Sequence, residues 1–112
     1  MGTFKTSEGD RITKTFIDFC TKTAKQRFRV NNSDSCYCWE CGTTSSILDI
    51  SHIVSVNDCQ NNGRAEQAFN PLNFEYLCRS CHRLWEDYKK LNPKRAQYIM
   101  DYFPELYIKY NE

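Results

Sequence analysis

Two pairs of cysteines are spaced to grip a metal ion: Cys38-Trp-Glu-Cys41 and Cys78-Arg-Ser-Cys81. Two residues between the thiols let a tight turn aim both sulfurs at one ion, and two such turns complete a tetrahedral four-cysteine zinc site. Soft thiolates in a closed set suit zinc, which brings no redox chemistry of its own. One Cys-x-x-Cys is a weak signal; two in a chain of 112 residues are a strong one. The expected role is structural, because binding energy at a site absent from the unfolded chain becomes folding energy. Cys36 offers a third thiol beside the first pair, but Cys38 with Cys41 repeats the spacing of the second. Cys20 and Cys59 are read as ordinary thiols.

Composition supports metal over disulfides. The cysteine count, seven, is odd, and the opening MGTFKTSEGDR holds no apolar stretch of signal-peptide length. A reducing, intracellular compartment is expected. No run of apolar residues approaches the roughly 18 needed to span a membrane. Met1, Gly2 and Thr6 fit a loose myristoylation pattern, which we read as coincidence. A chain of this length is one domain's worth and marginal without a staple. Net charge is +1 and argues for no partner. The basic residues are concentrated, however: Arg11, Lys14, Lys22, Lys25, Arg27 and Arg29 stand against Asp18 alone in that segment. Such a face either is solvated or contacts phosphates.

A closed four-thiolate site does no catalysis, so reactive groups must lie around it. The two histidines are well placed: His52 in the apolar run ILDISHI between the pairs, and His82 directly after the second pair in LCRSCHRLWE. Taken alone, His52 is an ordinary strand residue and His82 a substitute zinc ligand. Their joint position changes that. Cys38-x-x-Cys41, Ser51-His52-Ile53 and Asn73-Phe-Glu-Tyr-Leu77-Cys78-Arg-Ser-Cys81-His82 follow one another in the order found in HNH endonucleases, which the chain resembles between residues 36 and 90.

The resemblance implies an α+β fold: a small ββα-metal core stapled by the four-cysteine zinc site, with flanking N- and C-terminal helices. Organisation as one domain follows, with a helical extension over residues 1–35, the core over 36–90 and a second extension over 91–112. It implies an enzyme that hydrolyses phosphodiester bonds of nucleic acid, double-stranded DNA being the expected partner. His52 would take a proton from the attacking water, a task suited to an imidazole of ordinary pKa near ~6.5. Asn73 would orient His52 or its loop. His82 would bind a catalytic Mg²⁺ or Mn²⁺, distinct from the zinc. The residue before the catalytic histidine is often an Asp or His ligand in this family; here Ser51 holds that place, a candidate ligand for the catalytic ion but a poor replacement. Asp49 shares a strand face with Ser51. Glu86 lies one helical turn beyond His82 and is the preferred oxygen ligand. Asp87 and Glu75 are weaker candidates. Arg79, Arg83, Arg64, Lys25, Arg27 and Arg29 are the expected backbone contacts, giving affinity without sequence specificity. The family's habits point to a phage or mobile-element nuclease.

Other zinc proteins fit less well. A two-cysteine, two-histidine finger needs a closely spaced His pair, and nucleotide deaminases need His-x-Glu; neither occurs. A non-catalytic zinc module binding nucleic acid or protein stays open as the alternative.

The elements that must position these residues can be read from pattern. Residues 1–8 are expected to be disordered. Apolar spacing from Asp10 to Arg27 predicts a helix capped by Ser7 or Asp10. Residues 31–35 read as loop, Ser46 to Val56 as a strand that turns near His52, and 57–70 as a polar excursion around Gly63. A second strand or turn enters the second cysteine pair. Helices are expected over His82–Leu91, from Pro93 towards Tyr102, and in a short tail after Pro104.

Overall fold

The computed structural model describes residues 2–44 and 47–110; Met1, part of the lipidation pattern, and Ser46, where the expected strand begins, lie outside them. The described chain is a small α+β protein with two two-stranded sheets, β1–β2 and β3–β4. It forms two compact units, one of Met1–Ser35 with Val54–Phe74, the other of Cys36–Ile53 with Glu75–Glu112. Residues 54–74, counted with the core in the sequence reading, thus group with the N-terminal segment. No described helix is long and apolar enough to cross a membrane.

In the first unit, β1 (Thr3–Lys5) pairs antiparallel with β2 (Arg11–Thr13), Phe4 opposite Ile12. The expected disorder over residues 1–8 is therefore wrong for residues 3–8. A turn closes the hairpin: the Thr6 N–H donates to the Asp10 carbonyl at 2.8 Å, and Gly9 adopts φ +92°, a region costly for a side chain. With Asp10 in that turn, the helix cap falls to Thr13, whose hydroxyl accepts from the Phe16 N–H at 3.1 Å. The helix α1 spans Lys14–Asn31 and buries Ile17, Thr21 and Phe28 on one face.

The stretch after His52 is more ordered than its polarity predicts. Ser55 caps α2 (Val56–Asn61), and 3₁₀ turns follow at Ala65–Phe69 and Pro71–Asn73. Cys59, Ala65, Gln67 and Ala68 are buried, and Phe28 meets Phe74 edge to face at 5.7 Å. The reading as a polar excursion missed these because each buried residue is small or polar. The Cys59 thiol faces the Val54 carbonyl at 3.7 Å. Burial, then the charges of Asp58 and Glu66, push its pKa up to about 12. Alkylation by iodoacetamide at neutral pH should therefore modify Cys36 and Cys20 in the folded protein and spare Cys59 until denaturant is added. Peptide mass mapping checks this; early labelling of Cys59 would contradict its burial.

The second unit runs through the first cysteine turn to β3 (Leu48–His52), then β4 (Phe74–Cys78, its first residue belonging to the other unit) and directly into α3 (Arg79–Tyr88). The helix begins three residues before the expected His82, because Cys78 is its cap. It stops at Lys89, which turns left-handed at φ 51°. Asn92 caps α4 (Pro93–Tyr102) by accepting from the Arg95 N–H at 2.9 Å. Pro104, expected to end a helix, also opens α5 (Pro104–Tyr110), since its fixed φ suits a first turn. Trp85, Tyr98, Ile99, Phe103 and Leu106 form the apolar core of this unit.

A buried ion pair crosses that core. Arg95 and Glu75 are 2% and 1% exposed, with Nε donating to Oε2 at 2.8 Å. Arg95 also donates to the Lys90 carbonyl at 3.1 Å and lies 4.5 Å over the Trp85 ring. Arg95→Ala strands the Glu75 carboxylate in the core, and a loss of ~3–5 kcal/mol is expected in urea unfolding. The pairing also corrects one sequence-level candidate: Glu75 is sealed in the core and cannot serve a surface ion.

Candidate metal centre and the two histidines

The first cysteine turn is built by the backbone. The Gly42 N–H donates to the Cys38 carbonyl at 2.8 Å, the Cys38 N–H to the Thr43 carbonyl at 3.0 Å, and Gly42 sits at φ +79°. The Cys41 N–H points at the Cys38 sulfur, 3.5 Å away. The second pair occupies the start of α3, where unsatisfied N–H groups favour negative charge. The Trp39 N–H donates to the Tyr76 carbonyl at 2.8 Å, tying the first turn to β4.

The four sulfurs of Cys38, Cys41, Cys78 and Cys81 consequently lie within 4.8 Å of one another, Cys41 and Cys78 at 3.9 Å. Among the described residues this is the one group of three or more such donors so close together, and Cys36 is not in it. Burial raises the Cys38 pKa, but N–H groups of Cys41, Cys78 and Glu40 outweigh it and bring the thiol down to about 6. Burial, then the neighbouring sulfurs of Cys78, Cys38 and Cys41, pushes Cys81 up. Four clustered thiols cannot all ionise without a cation. The donor set therefore fits a single soft metal ion.

His82 directly follows Cys81 on α3, and the same helix reaches the backbone of His52 on β3. His82 Nδ1 lies 3.2 Å from Asp49 Oδ2 on β3, and Nε2 lies 3.4 Å from Glu86 Oε1 one turn along α3. Asp49 also approaches Arg79, at 3.9 Å. Trp85 donates its indole N–H to the His52 carbonyl at 3.2 Å. Asn73 is fully buried: its Oδ1 accepts from the Val54 N–H at 2.8 Å, and its Nδ2 donates to the carbonyls of Val54 and Gln67, each at 3.0 Å. Val54 stands two residues beyond His52 in the chain.

Of the sequence candidates, Asp49 and Glu86 are thus gathered at His82. Ser51 is not. It is 1% exposed, and its hydroxyl donates to the His52 carbonyl at 3.3 Å. Asp87, Arg79 and Arg83 are exposed on α3. In the other unit, Arg27 and Arg29 are exposed on α1, Arg64 is half-buried, and burial followed by the Arg29 charge lowers the Lys25 pKa. The sequence reading missed the positioning role of Trp85. Its spacing three after His82, on the inner face of α3, was the available signal. Comparison with family models, with curated proteins and with solved structures finds no match to this chain.

Proposed function

We propose that the chain is a metal-dependent endonuclease of the HNH kind, hydrolysing phosphodiester bonds of nucleic acid, double-stranded DNA being the expected substrate. The observation that carries this reading is the carboxylate on each side of His82, Asp49 at 3.2 Å and Glu86 at 3.4 Å. A neutral imidazole donates from one nitrogen only, so the other contact sets two acceptors face to face unless a proton or a metal cation intervenes. One ring nitrogen with one carboxylate fits Mg²⁺ or Mn²⁺, which leave their other positions to water and phosphate.

In this reading His52 removes a proton from the attacking water as its oxygen bonds to phosphorus, and the bond from phosphorus to the 3′-oxygen breaks. Trp85 holds the His52 carbonyl, so the base is positioned through its own peptide. A divalent ion at His82, when bound, supplies positive charge to the phosphoryl and leaving oxygens. Cys38, Cys41, Cys78 and Cys81 would hold zinc as a separate structural ion. Arg79, Arg83, Arg64, Lys25, Arg27 and Arg29 would contact phosphates. The free thiols fit a reducing, intracellular setting.

One observation favours a competing reading, a zinc module that binds without cutting. Ser51 is buried and bonded to backbone, so position 51 gives an ion no ligand. Incubating folded, zinc-loaded protein with supercoiled plasmid and added Mg²⁺ or Mn²⁺ separates the two. Nicked or linear product that depends on the added ion supports the nuclease. Intact plasmid, single-stranded DNA and RNA under all these conditions would move the assignment to the binding module.

A further inference from the structure

The guanidinium of Arg95 is only partly satisfied. Its Nε donates to Glu75 at 2.8 Å and its Nη1 to the Lys90 carbonyl at 3.1 Å. Nη2, also buried, has no hydrogen-bond partner among the described residues. A buried donor left in that state costs free energy that an acceptor would recover. The same side chain lines a cleft of about 260 Å³ in the unit formed by Cys36–Ile53 and Glu75–Glu112. Leu84 and Tyr88, one helical turn apart on α3, are 55% and 74% exposed and border it with Lys90. Arg95 and Trp85, each 2% exposed, lie at its buried side, with Glu40 and Cys81 completing the wall.

We propose that this cleft binds a small neutral molecule, an apolar ring bearing a carbonyl oxygen, with Nη2 of Arg95 donating to that oxygen. The ligand class follows from the lining alone and is independent of the nuclease reading. A cavity of about 150 Å³ takes benzene, so this one holds a ring and its substituent. Leu84 and Tyr88 supply the apolar walls, and their exposure lets the rim adjust by the rotamer changes common on binding. The polar side asks for an acceptor, because the donor there is the group without a partner. Charge asks for a neutral one: Arg95 and Lys90 are balanced by Glu40 in the lining and Glu75 beneath it. A carboxylate ligand would face Glu40, which lies 3.7 Å from Arg95. It would also lack the paired N–H groups that carboxylates prefer, since Nε and Nη1 are taken.

The test is titration of the full zinc-loaded chain, labelled with ¹⁵N, with acetophenone, ethylbenzene and benzoate in turn. The readout is the Arg95 Nε–H and Trp85 indole N–H resonances. Acetophenone is expected to shift both saturably at about millimolar concentration, and about tenfold more tightly than ethylbenzene or benzoate. Arg95→Lys keeps a cation for Glu75 but gives up Nη2, and should erase the preference for acetophenone over ethylbenzene. Leu84→Ala, at an exposed position that spares the fold, should weaken both neutral probes severalfold. The spectrum of each variant reports whether it is folded. Absence of a saturable shift overturns the proposal, leaving Nη2 to water. Equal affinity for ethylbenzene removes the polar anchor, and tighter benzoate makes the cleft an anion site; either result overturns it. So does unchanged affinity for both neutral probes in Leu84→Ala.

Discussion

Chelation of the metal from the zinc-loaded protein should unfold the unit formed by Cys36–Ile53 and Glu75–Glu112. The four sulfurs within 4.8 Å sit where the first cysteine turn, the end of β4 and the start of α3 converge. The elements themselves are short: each strand of the β3–β4 pair has five residues and α3 has ten. Isolated hairpins and helices of that length are marginal in water. Structural zinc contributes ~10–16 kcal/mol in zinc-finger peptides, comparable with or above the whole stability of an ordinary domain. Cys78→Ser should have the same effect as chelation, since it removes one of the four clustered thiols and no side-chain cap of α3. Cys36→Ser, exposed and outside the cluster, should change little. Far-UV circular dichroism with zinc quantified per chain is the measurement. A Cys78→Ser protein that keeps its fold and melting temperature would show the cluster to be incidental.

His52→Ala is expected to slow cleavage by about 10²–10⁴-fold, the usual worth of a positioned general base. The His52 carbonyl that Trp85 reaches is kept in the variant, and its melting temperature is expected to be retained. Asn73→Ala should behave differently. It deletes an acceptor for the Val54 N–H and a donor to two carbonyls in a fully buried place, so it should lose stability together with activity. A rate loss in His52→Ala with an unchanged melting temperature thus marks chemistry; parallel losses mark positioning.

The cysteine cluster was the most legible feature, because a repeated Cys-x-x-Cys carries its geometry in its spacing. Glu86 was legible as a neighbour of His82 for the same reason, a single helical turn. Asp49 could be placed near the site by strand alternation, but its contact with His82 joins residues 33 apart, and no local pattern announces that. Ser51 was read as a possible ligand because burial cannot be seen in a hydroxyl's type. The N-terminal hairpin escaped detection because three-residue strands leave no period to count, and its turn rests on the conformation of Gly9. Residues 57–70 were misjudged because composition there is polar while the buried positions are alanine, cysteine and a bonded glutamine. Glu75 stood only as a weaker ligand candidate and Arg95 drew no reading; their pairing across 20 residues is what makes them core.

The most direct test of the account is the single-turnover cleavage rate of plasmid DNA by wild-type and His52→Ala protein, both zinc-loaded and folded, with Mg²⁺ or Mn²⁺ added. The account predicts ion-dependent nicking or linearisation by the wild type that falls by about 10²–10⁴-fold in the variant. Cleavage at the same rate in both would contradict the role of His52, and no cleavage by either would contradict the nuclease.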